Sequence, residues 1–241
     1  PKIAVILLES FGAKFIEELG GIPDVCPNMS KYIPEGVFFD NVYANSFRTD
    51  RGTVSAFSGQ ISYPTASLMR LPAKLDHLPS IARSLKEAGY QTDFSYGGDI
   101  TIMGEQGYLI SAGFDHLTSD KDFTFAQVNE SKWGANDSLI FDKAFQMISE
   151  RPLENLWFSG IQTLSSHEPF EVPYTRLKDP VMNAFAYTDH CLGQFIEKLK
   201  KSPVWDELLL VLLPDHGMMY QLTYEDPDFF HIPVLCLGGA I

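Results

Sequence analysis

Basic residues are scarce in this sequence. Its 241 residues include 18 Lys and Arg against 31 Asp and Glu, which gives a formal net charge of −13 at pH 7. A surface that binds nucleic acid needs clustered Lys and Arg, so this balance argues against nucleic acid as a partner. An anionic substrate stays compatible with the composition, because a bound metal ion can reverse the local electric field.

Long apolar runs and paired cysteines are also missing. No apolar run approaches the roughly 20 residues that a membrane-spanning helix requires. The first residues, PKIAVILLES, lack the basic region and the small-residue cleavage site of a signal peptide. The cysteines, Cys26, Cys191 and Cys236, form no CxxC pair and allow at most one disulfide. They therefore do not identify a redox compartment.

Both ends of the chain look cut. The N-terminal residues enter a predicted strand at once, and LCLGGAI ends the chain directly after another. We therefore expect residues 1–241 to be one catalytic domain excised from a longer protein.

Hydrophobic periodicity predicts strands that alternate with helices. Apolar residues make up 45% of the chain, which suits one α/β domain with a substantial core. Strands are predicted at 2–8, 37–44, 91–96, 156–164, 208–213 and 232–237, and helices at 26–36, from Thr53 onward, at 78–88 and at 182–200. This alternation predicts an α/β fold with a mostly parallel central sheet and helices on both faces.

Polar residues that could carry chemistry follow four of the predicted strands. They are Glu9, Asp99, His167 and the adjacent pair Asp215 and His216. Ligands of open α/β sheets bind at the carboxyl ends of the strands, so these side chains are expected to converge. An adjacent Asp and His can offer an oxygen and a nitrogen to one divalent cation. Each residue alone is equally compatible with a solvated loop, and only the set indicates a site.

A hydroxyl nucleophile would complete such a site, and Thr53 is the candidate. It follows Gly52 in a polar loop and is predicted to stand at a helix N-terminus, where backbone N–H groups attract phosphate or sulfate. A divalent cation acidifies a hydroxyl that binds it, which activates a poor nucleophile. The alternative interpretation is that Thr53 only caps the helix.

Five short motifs occur along the chain in an order that resembles a known family. They are ILLES (6–10), the RGT (51–53) within RTDRGT, YGGD (96–99), SSHEPF (165–170) and PDHG (214–217). Their order and spacing resemble the extracellular catalytic domain of the lipoteichoic acid synthase-like phosphoglycerol transferases, in the alkaline phosphatase and sulfatase superfamily. The weaker signals CPNMSKYIPEGVFFDNVYA and YTDHCLGQFIEKL resemble the same group, so the resemblance covers nearly the whole chain.

The resemblance implies one divalent-metal site. Glu9, Thr53, Asp215 and His216 match its ligands, with Mn²⁺ or Mg²⁺ as the ion and Zn²⁺ less favoured. Oxygen-rich ligation with one imidazole agrees with a hard or borderline cation. Thr53 also matches the nucleophile that carries phosphoglycerol as a covalent intermediate.

The resemblance also implies residues that bind the substrate. His167 matches a position that contacts the substrate or assists the leaving group, and Asp99 matches a glycerol-phosphate-binding position. His231, just before the last strand, matches a late His that completes a second metal site in two-metal relatives. We retain it as a candidate ligand or substrate contact, although a polar residue at a strand start is the simpler explanation.

One segment departs from the family pattern. Lipoteichoic acid synthases carry a Trp and an Arg shortly after the Asp that Asp99 matches, where this chain has Gly104 and Gln106. The Arg would hold a phosphate bidentately, which Gln cannot do. The phosphate is then expected to be held by Arg48 or Arg51, or the donor and acceptor differ from those of the synthases.

The predicted function is a metal-dependent transfer of a phosphoglycerol-type group to an extracytoplasmic acceptor. The donor would be a phosphatidylglycerol-like lipid or a glycan. N-terminal transmembrane helices outside this sequence would hold the domain at the extracytoplasmic face of the cell membrane. The alternatives are a phosphoethanolamine transferase, a phosphodiesterase, a phosphatase, a sulfatase, or a catalytically silent module that binds glycan or lipid. A sulfatase needs Cys or Ser in a C/S-x-P-x-R run, which the segment after Gly52 lacks.

Overall fold

A seven-stranded sheet runs through the computed structural model, which describes residues 1–241. The strands are β1 (Lys2–Leu8), β2 (Val37–Tyr43), β3 (Gln91–Tyr96), β4 (His116–Thr118), β5 (Trp157–Gln162), β6 (Leu208–Pro214) and β7 (His231–Leu237). Their order across the sheet is β2-β7-β6-β1-β5-β3-β4. The five strands from β6 to β4 pair in parallel, whereas β7 is antiparallel to both β6 and β2. The predicted mostly parallel sheet is confirmed.

Nine α-helices connect and cover the strands. They are α1 (Pro27–Tyr32), α2 (Thr49–Ser58), α3 (Pro72–Leu75), α4 (Ile81–Glu87), α5 (Glu105–Ala112), α6 (Phe125–Val128), α7 (Asp137–Ser149), α8 (Pro180–Lys200) and α9 (Pro227–Phe230). Short 3₁₀ helices lie at Ala13–Phe15, Glu17–Leu19, Ile33–Glu35, Leu68–Arg70, Ile102–Gly104, Asp120–Asp122 and Trp205–Glu207. None of these helices has the length and apolar character needed to cross a membrane.

Side chains of the central strand β1 alternate between two cores, one on each face of the sheet. Ile6 and Leu8 pack into the larger core, which includes Phe185 of α8 and side chains of α1 and α7. Leu7 points to the smaller core, which includes Phe57 of α2 and side chains of α5. The prediction of helices on both faces is therefore confirmed.

The order of the strands brings four loops together at one edge of the sheet. β6, β1, β5 and β3 are adjacent and parallel, so their carboxyl ends lie side by side. The polar residues singled out in the sequence follow these four strands. The topology therefore explains how residues more than 200 positions apart reach one place.

Candidate active site

Three buried side chains meet where β1 and β6 end. Glu9, Asp215 and His216 each offer a ligand atom within 4.8 Å of the others, and at most 8% of any of these residues is exposed. His216 Nε2 lies 3.5 Å from Asp215 Oδ2 and 3.7 Å from Glu9 Oε1. The structure thus brings together three of the four residues predicted to bind a metal.

The fourth position is occupied by Thr49, the first residue of α2. Its hydroxyl donates to Glu9 Oε2 at 3.1 Å, and its Oγ1 lies 3.4 Å from His216 Nε2. The first backbone N–H groups of a helix have no partner within it, so they are available to an anion beside Thr49. Thr49 is half-buried and accessible to a substrate.

The predicted start of this helix was wrong, and with it the environment predicted for Thr53. α2 begins at Thr49, four residues earlier than expected, which places Thr53 one turn inside the helix. Thr53 is fully buried, and its Oγ1 makes no hydrogen bond. Thr53 does not cap the helix and makes no hydrogen bond to the three-residue cluster. Thr49 instead holds the position beside the cluster that the sequence analysis assigned to Thr53.

The cluster carries more negative than positive charge. Burial and the neighbouring Glu9 carboxylate raise the pKa of Asp215 to about 7. Burial also acts to raise the pKa of Glu9, but two nearby histidines and two hydroxyl donors outweigh it and lower that pKa. Burial acts to lower the pKa of His216, but the two carboxylates outweigh it and raise that pKa. A proton or a cation is needed to balance the charge.

The donor set fits a divalent cation. Asp215 Oδ2 is buried and has no hydrogen-bond partner. It lies 3.5 Å from His216 Nε2, so both atoms are available to one cation. His216 Nδ1 lies 2.7 Å from Gly217 O and can donate to it, which leaves Nε2 free as a ligand atom. Two carboxylates, one imidazole and one hydroxyl suit a hard or borderline ion.

Hydrogen bonds from the neighbouring loops fix the two carboxylates. Asp215 Oδ1 accepts from the backbone N–H groups of Ser10 and His216, at 2.9 and 2.8 Å. The Ser10 hydroxyl donates to Glu9 Oε1 at 2.7 Å, and the Ser166 hydroxyl donates to the Glu9 carbonyl at 2.7 Å. These bonds hold the ligand atoms in place without a metal, as preorganisation requires.

Helix α2 is held against the end of β6 by a backbone contact at Gly52. A Cβ at this position would lie 2.2 Å from the Asp215 carbonyl oxygen, so only glycine fits. Asp50, the second residue of α2, is 2% exposed. Its carboxylate accepts from Arg48 Nε and Arg70 Nε, both at 3.1 Å. The helix that carries Thr49 is therefore anchored on two sides.

Two cavities flank Thr49. One is narrow, with a volume of about 80 Å³, and the other is open, with a volume of about 390 Å³. Glu9, Thr49 and His167 line both. The open cavity has an apolar wall formed by Phe47, Phe170, Met218, Met219, Tyr224 and Phe229, with Arg48 among them. A group bound at Thr49 can thus reach into either space.

The narrow cavity contains Asp99, as predicted, and also Trp133, which the sequence reasoning missed. The Trp133 ring packs edge-on against His167, with 4.6 Å between the ring centroids. Trp133 lies in the loop between α6 and α7, far in sequence from Gly104 and Gln106. The cavity therefore contains a Trp that is contributed by a different loop from the one in the lipoteichoic acid synthase pattern.

Two predicted substrate contacts lie elsewhere. Arg51 Nη1 donates to Pro64 O at 3.2 Å, and its guanidinium packs on a neighbouring aromatic ring. His231 Nε2 lies 2.7 Å from Asp40 O, and its ring stacks on the ring of Tyr43. Neither residue lines the two cavities, so the structure does not bring them to the site. Of the two predicted phosphate-binding arginines, only Arg48 lies there.

The family model described as Sulfatase matches residues 1–228. This chain belongs to the Sulfatase family. The resemblance deduced from the motifs is confirmed at this level, and members of this superfamily use divalent metals.

Two curated relatives are similar in sequence. The lipoteichoic acid synthase-like protein YvgJ of Bacillus subtilis is 23% identical over 89% of this chain and 36% of its own length. Phosphoglycerol transferase I of Salmonella arizonae is 26% identical over 58% of this chain and 20% of its own length. The Sulfatase-family chain thus spans about a third or less of these proteins.

A solved structure of the alkaline phosphatase superfamily, from Vibrio parahaemolyticus, has the same fold. It superimposes with a TM-score of 0.91 and 31% sequence identity, over 100% of this chain and 60% of that chain. The predicted alkaline phosphatase-like fold is therefore confirmed.

Proposed function

We propose that this domain transfers a phosphoglycerol-type group through a covalent intermediate on Thr49. The observation that carries the proposal is the contact of the Thr49 hydroxyl with Glu9 Oε2 and His216 Nε2, at the accessible end of α2. The names of the two curated relatives, a lipoteichoic acid synthase-like protein and a phosphoglycerol transferase, support phosphoglycerol as the transferred group. We propose Thr49 in place of Thr53 because Thr53 is fully buried.

One divalent cation, Mn²⁺ or Mg²⁺ rather than Zn²⁺, would be held by Glu9, Thr49, Asp215 and His216. The preference follows from the oxygen-rich donor set. When bound, such a cation makes a hydroxyl more acidic and stabilises negative charge on phosphate oxygens.

In the first step, Thr49 Oγ1 attacks the phosphorus atom of the donor. Its proton leaves along the existing hydrogen bond to Glu9 Oε2. A bond forms between Oγ1 and phosphorus, and the bond between phosphorus and the leaving alkoxide breaks. His167, which lines both cavities, donates a proton to the departing oxygen. The free N–H groups of α2 and the Arg48 guanidinium balance charge on the phosphate.

In the second step, an acceptor hydroxyl replaces the departed group in the open cavity. It gives its proton to His167 and attacks phosphorus, which breaks the bond to Thr49 Oγ1. Thr49 then recovers its proton from Glu9. Transfer to water would follow the same course, so hydrolysis is the alternative outcome of the same chemistry.

The donor and the location follow from the same proposal. A phosphatidylglycerol-like lipid or a glycan would supply the group, and the apolar wall of the open cavity suits the lipid. The domain would act on the extracytoplasmic side of the cell membrane. A catalytically silent binding module is the rival from another class, and the intact set of Glu9, Thr49, Asp215 and His216 argues against it.

Intact-protein mass spectrometry tests the proposal. The domain is incubated with Mn²⁺ and a short-chain, water-soluble phosphatidylglycerol. We expect a mass gain equal to phosphoglycerol in the wild type, no gain in Thr49→Val, and a gain in Thr53→Val. Thr175→Val, at an exposed position, is the matched control. An adduct that persists in Thr49→Val and disappears in Thr53→Val would return the nucleophile to Thr53.

A further inference from the structure

Three residues that line the narrow cavity beside Thr49 each have a buried polar atom without a hydrogen-bond partner. These atoms are Thr53 Oγ1, Glu105 Oε1 and Gln162 Oε1. All three residues line this cavity, and they are 0%, 7% and 2% exposed. A buried polar atom without a partner costs about 1–3 kcal/mol. Such atoms are rare in folded proteins, so three around one cavity point to a polar ligand.

The three atoms come from three separate elements. Thr53 lies in α2, Glu105 begins α5, and Gln162 ends β5. No single local turn or strained loop therefore explains their lack of partners. What the three residues share is that they line the narrow cavity, and Thr53 lies one helical turn after Thr49.

We propose that Thr53, Glu105 and Gln162 form a specificity subsite that hydrogen-bonds hydroxyl groups of the transferred head group. This inference rests on the proposed function, because it places the head group of the phosphoryl group on Thr49 in the narrow cavity. The leaving group and the acceptor then use the open cavity in turn.

The chemistry of the subsite favours a neutral, hydroxylated head group over an anionic one. The cavity is lined by Glu9, Asp50, Asp99 and Glu105 and contains no Lys or Arg, which disfavours a second phosphate. Burial, with the charges of Glu9 and Asp215, raises the pKa of Glu105 to about 8. Burial, the largest cause, favours the neutral carboxyl group, which can both donate and accept.

A hydroxyl group matches these partners. The Thr53 hydroxyl and a protonated Glu105 both donate and accept, and Gln162 Oε1 accepts. A diol such as glycerol offers two donors and two acceptors at the spacing of neighbouring carbons. A propyl group of the same length would leave the three atoms unpaired.

Binding measurements on the Mn²⁺-loaded protein test the subsite. Calorimetry would compare glycerol 1-phosphate, n-propyl phosphate and ethanolamine phosphate. We expect glycerol phosphate to bind at least about tenfold more tightly than propyl phosphate, as two net hydrogen bonds imply. Glu105→Leu and Gln162→Leu should each reduce this ratio toward one, with Thr53→Val in the same direction.

Equal affinity of the wild type for glycerol phosphate and propyl phosphate would overturn the inference. Tighter binding of ethanolamine phosphate than of glycerol phosphate would overturn it too, in favour of a cationic head group. Glu87→Leu, at an exposed position, is the control for Glu105→Leu. Gln162→Leu keeps the test decisive if Glu105→Leu does not fold.

The readout separates this inference from the proposed function. Discrimination in binding without a covalent adduct would support the subsite and contradict the transfer. An adduct without discrimination would support the transfer and contradict the subsite.

Discussion

Two buried aspartates, Asp93 toward the amino end of the central sheet and Asp215 at its carboxyl end, differ in how fully their oxygens are hydrogen-bonded. At the amino end, a cleft of about 450 Å³ contains Asp93, whose Oδ2 accepts from Arg151 Nη2 at 2.6 Å and from Ser159 Oγ at 2.9 Å. At the carboxyl end, Asp215 and three residues of the narrow cavity have buried atoms without a partner. They account for four of the eight such atoms in the protein.

This contrast shows that the size of a cleft does not identify a site. The larger cleft at the amino end holds charges that satisfy one another, so it offers little to a ligand. The cavity at the carboxyl end is smaller, but its polar atoms lack partners. Unmet hydrogen bonding is the better indicator, because it has a cost in stability that a ligand can offset.

The largest expected effect is a loss of metal affinity, and it separates the carboxyl end of β6 from its amino end. Asp215→Asn, at the carboxyl end of β6, should weaken Mn²⁺ binding by about a thousandfold, since changes outside the ligand shell alone cost about 10–100-fold. Asp206→Asn, exposed at the amino end, should leave the affinity unchanged. Calorimetry or native mass spectrometry gives both values. Equal loss in both variants would contradict the metal assignment.

The next effect concerns the amino end. Asp93→Ala leaves the buried guanidinium of Arg151 without its partner, and the two side chains are only 7% and 14% exposed. We expect the free energy of unfolding to fall by about 3 kcal/mol, as measured by urea denaturation. Adduct formation at 20 °C should be retained at saturating Mn²⁺. Loss of the adduct in a folded variant would show that the two ends are coupled.

A smaller effect depends on pH. The folded-state pKa of Glu105, about 8, is above its ordinary value, so its contribution to stability is present below about pH 4.5 and is lost as pH rises through about 8. Glu105→Gln has no such loss. The metal-free variant should therefore gain stability relative to the wild type by about 2 kcal/mol between pH 5 and pH 6.5. The same stability difference between Glu105→Gln and the wild type at both pH values would contradict the raised pKa of Glu105.

The smallest effect is on metal affinity. Because the pKa of Asp215 is raised to about 7, protons compete with the cation at this carboxylate. The apparent Mn²⁺ affinity should fall by about tenfold per pH unit just below pH 7, more steeply where His216 also takes up a proton, and it should level off at higher pH. Titrations from pH 5.5 to 8.5 measure this slope, and a flat profile would exclude Asp215 as the competing group.

The sequence predicted the sheet and the convergence at its edge because both follow from local patterns. Apolar runs marked the central strands, and the polar residue after each run marked its carboxyl end. Glu9, Asp99, His167 and His216 line the cavities as expected, and Asp215 lies in the buried cluster with Glu9 and His216. Helix α7 (Asp137–Ser149) was missed although Asn136 caps it by accepting a hydrogen bond from the Ser138 backbone N–H.

The start of α2 could not be predicted because its N-cap is Arg48. Its side chain makes no capping hydrogen bond to the helix and instead contacts Asp50. Helices usually start after Ser, Thr, Asp or Asn, so the loop gave no signal at Thr49. Tertiary contacts at Gly52 and Asp50 decide the start instead, and they are invisible in the local sequence.

The narrow cavity escaped prediction for a similar reason. Gln162 lies in a fully buried strand, and Glu105 and Trp133 lie in segments without a motif. Their common feature is an absent partner or a shared space, and only the three-dimensional structure reveals either. Arg51 and His231 show the converse, since they have suitable chemistry but face other clefts.

The contact of Gly52 with the Asp215 carbonyl has an evolutionary consequence. Main chain touches main chain there, so the spacing between Thr49 and the metal ligands does not depend on the size of any side chain. Glu105 and Gln162, which lie outside α2, can therefore mutate without moving the nucleophile. A lineage with this arrangement can change the head group that it accepts in small steps while its reaction chemistry is preserved.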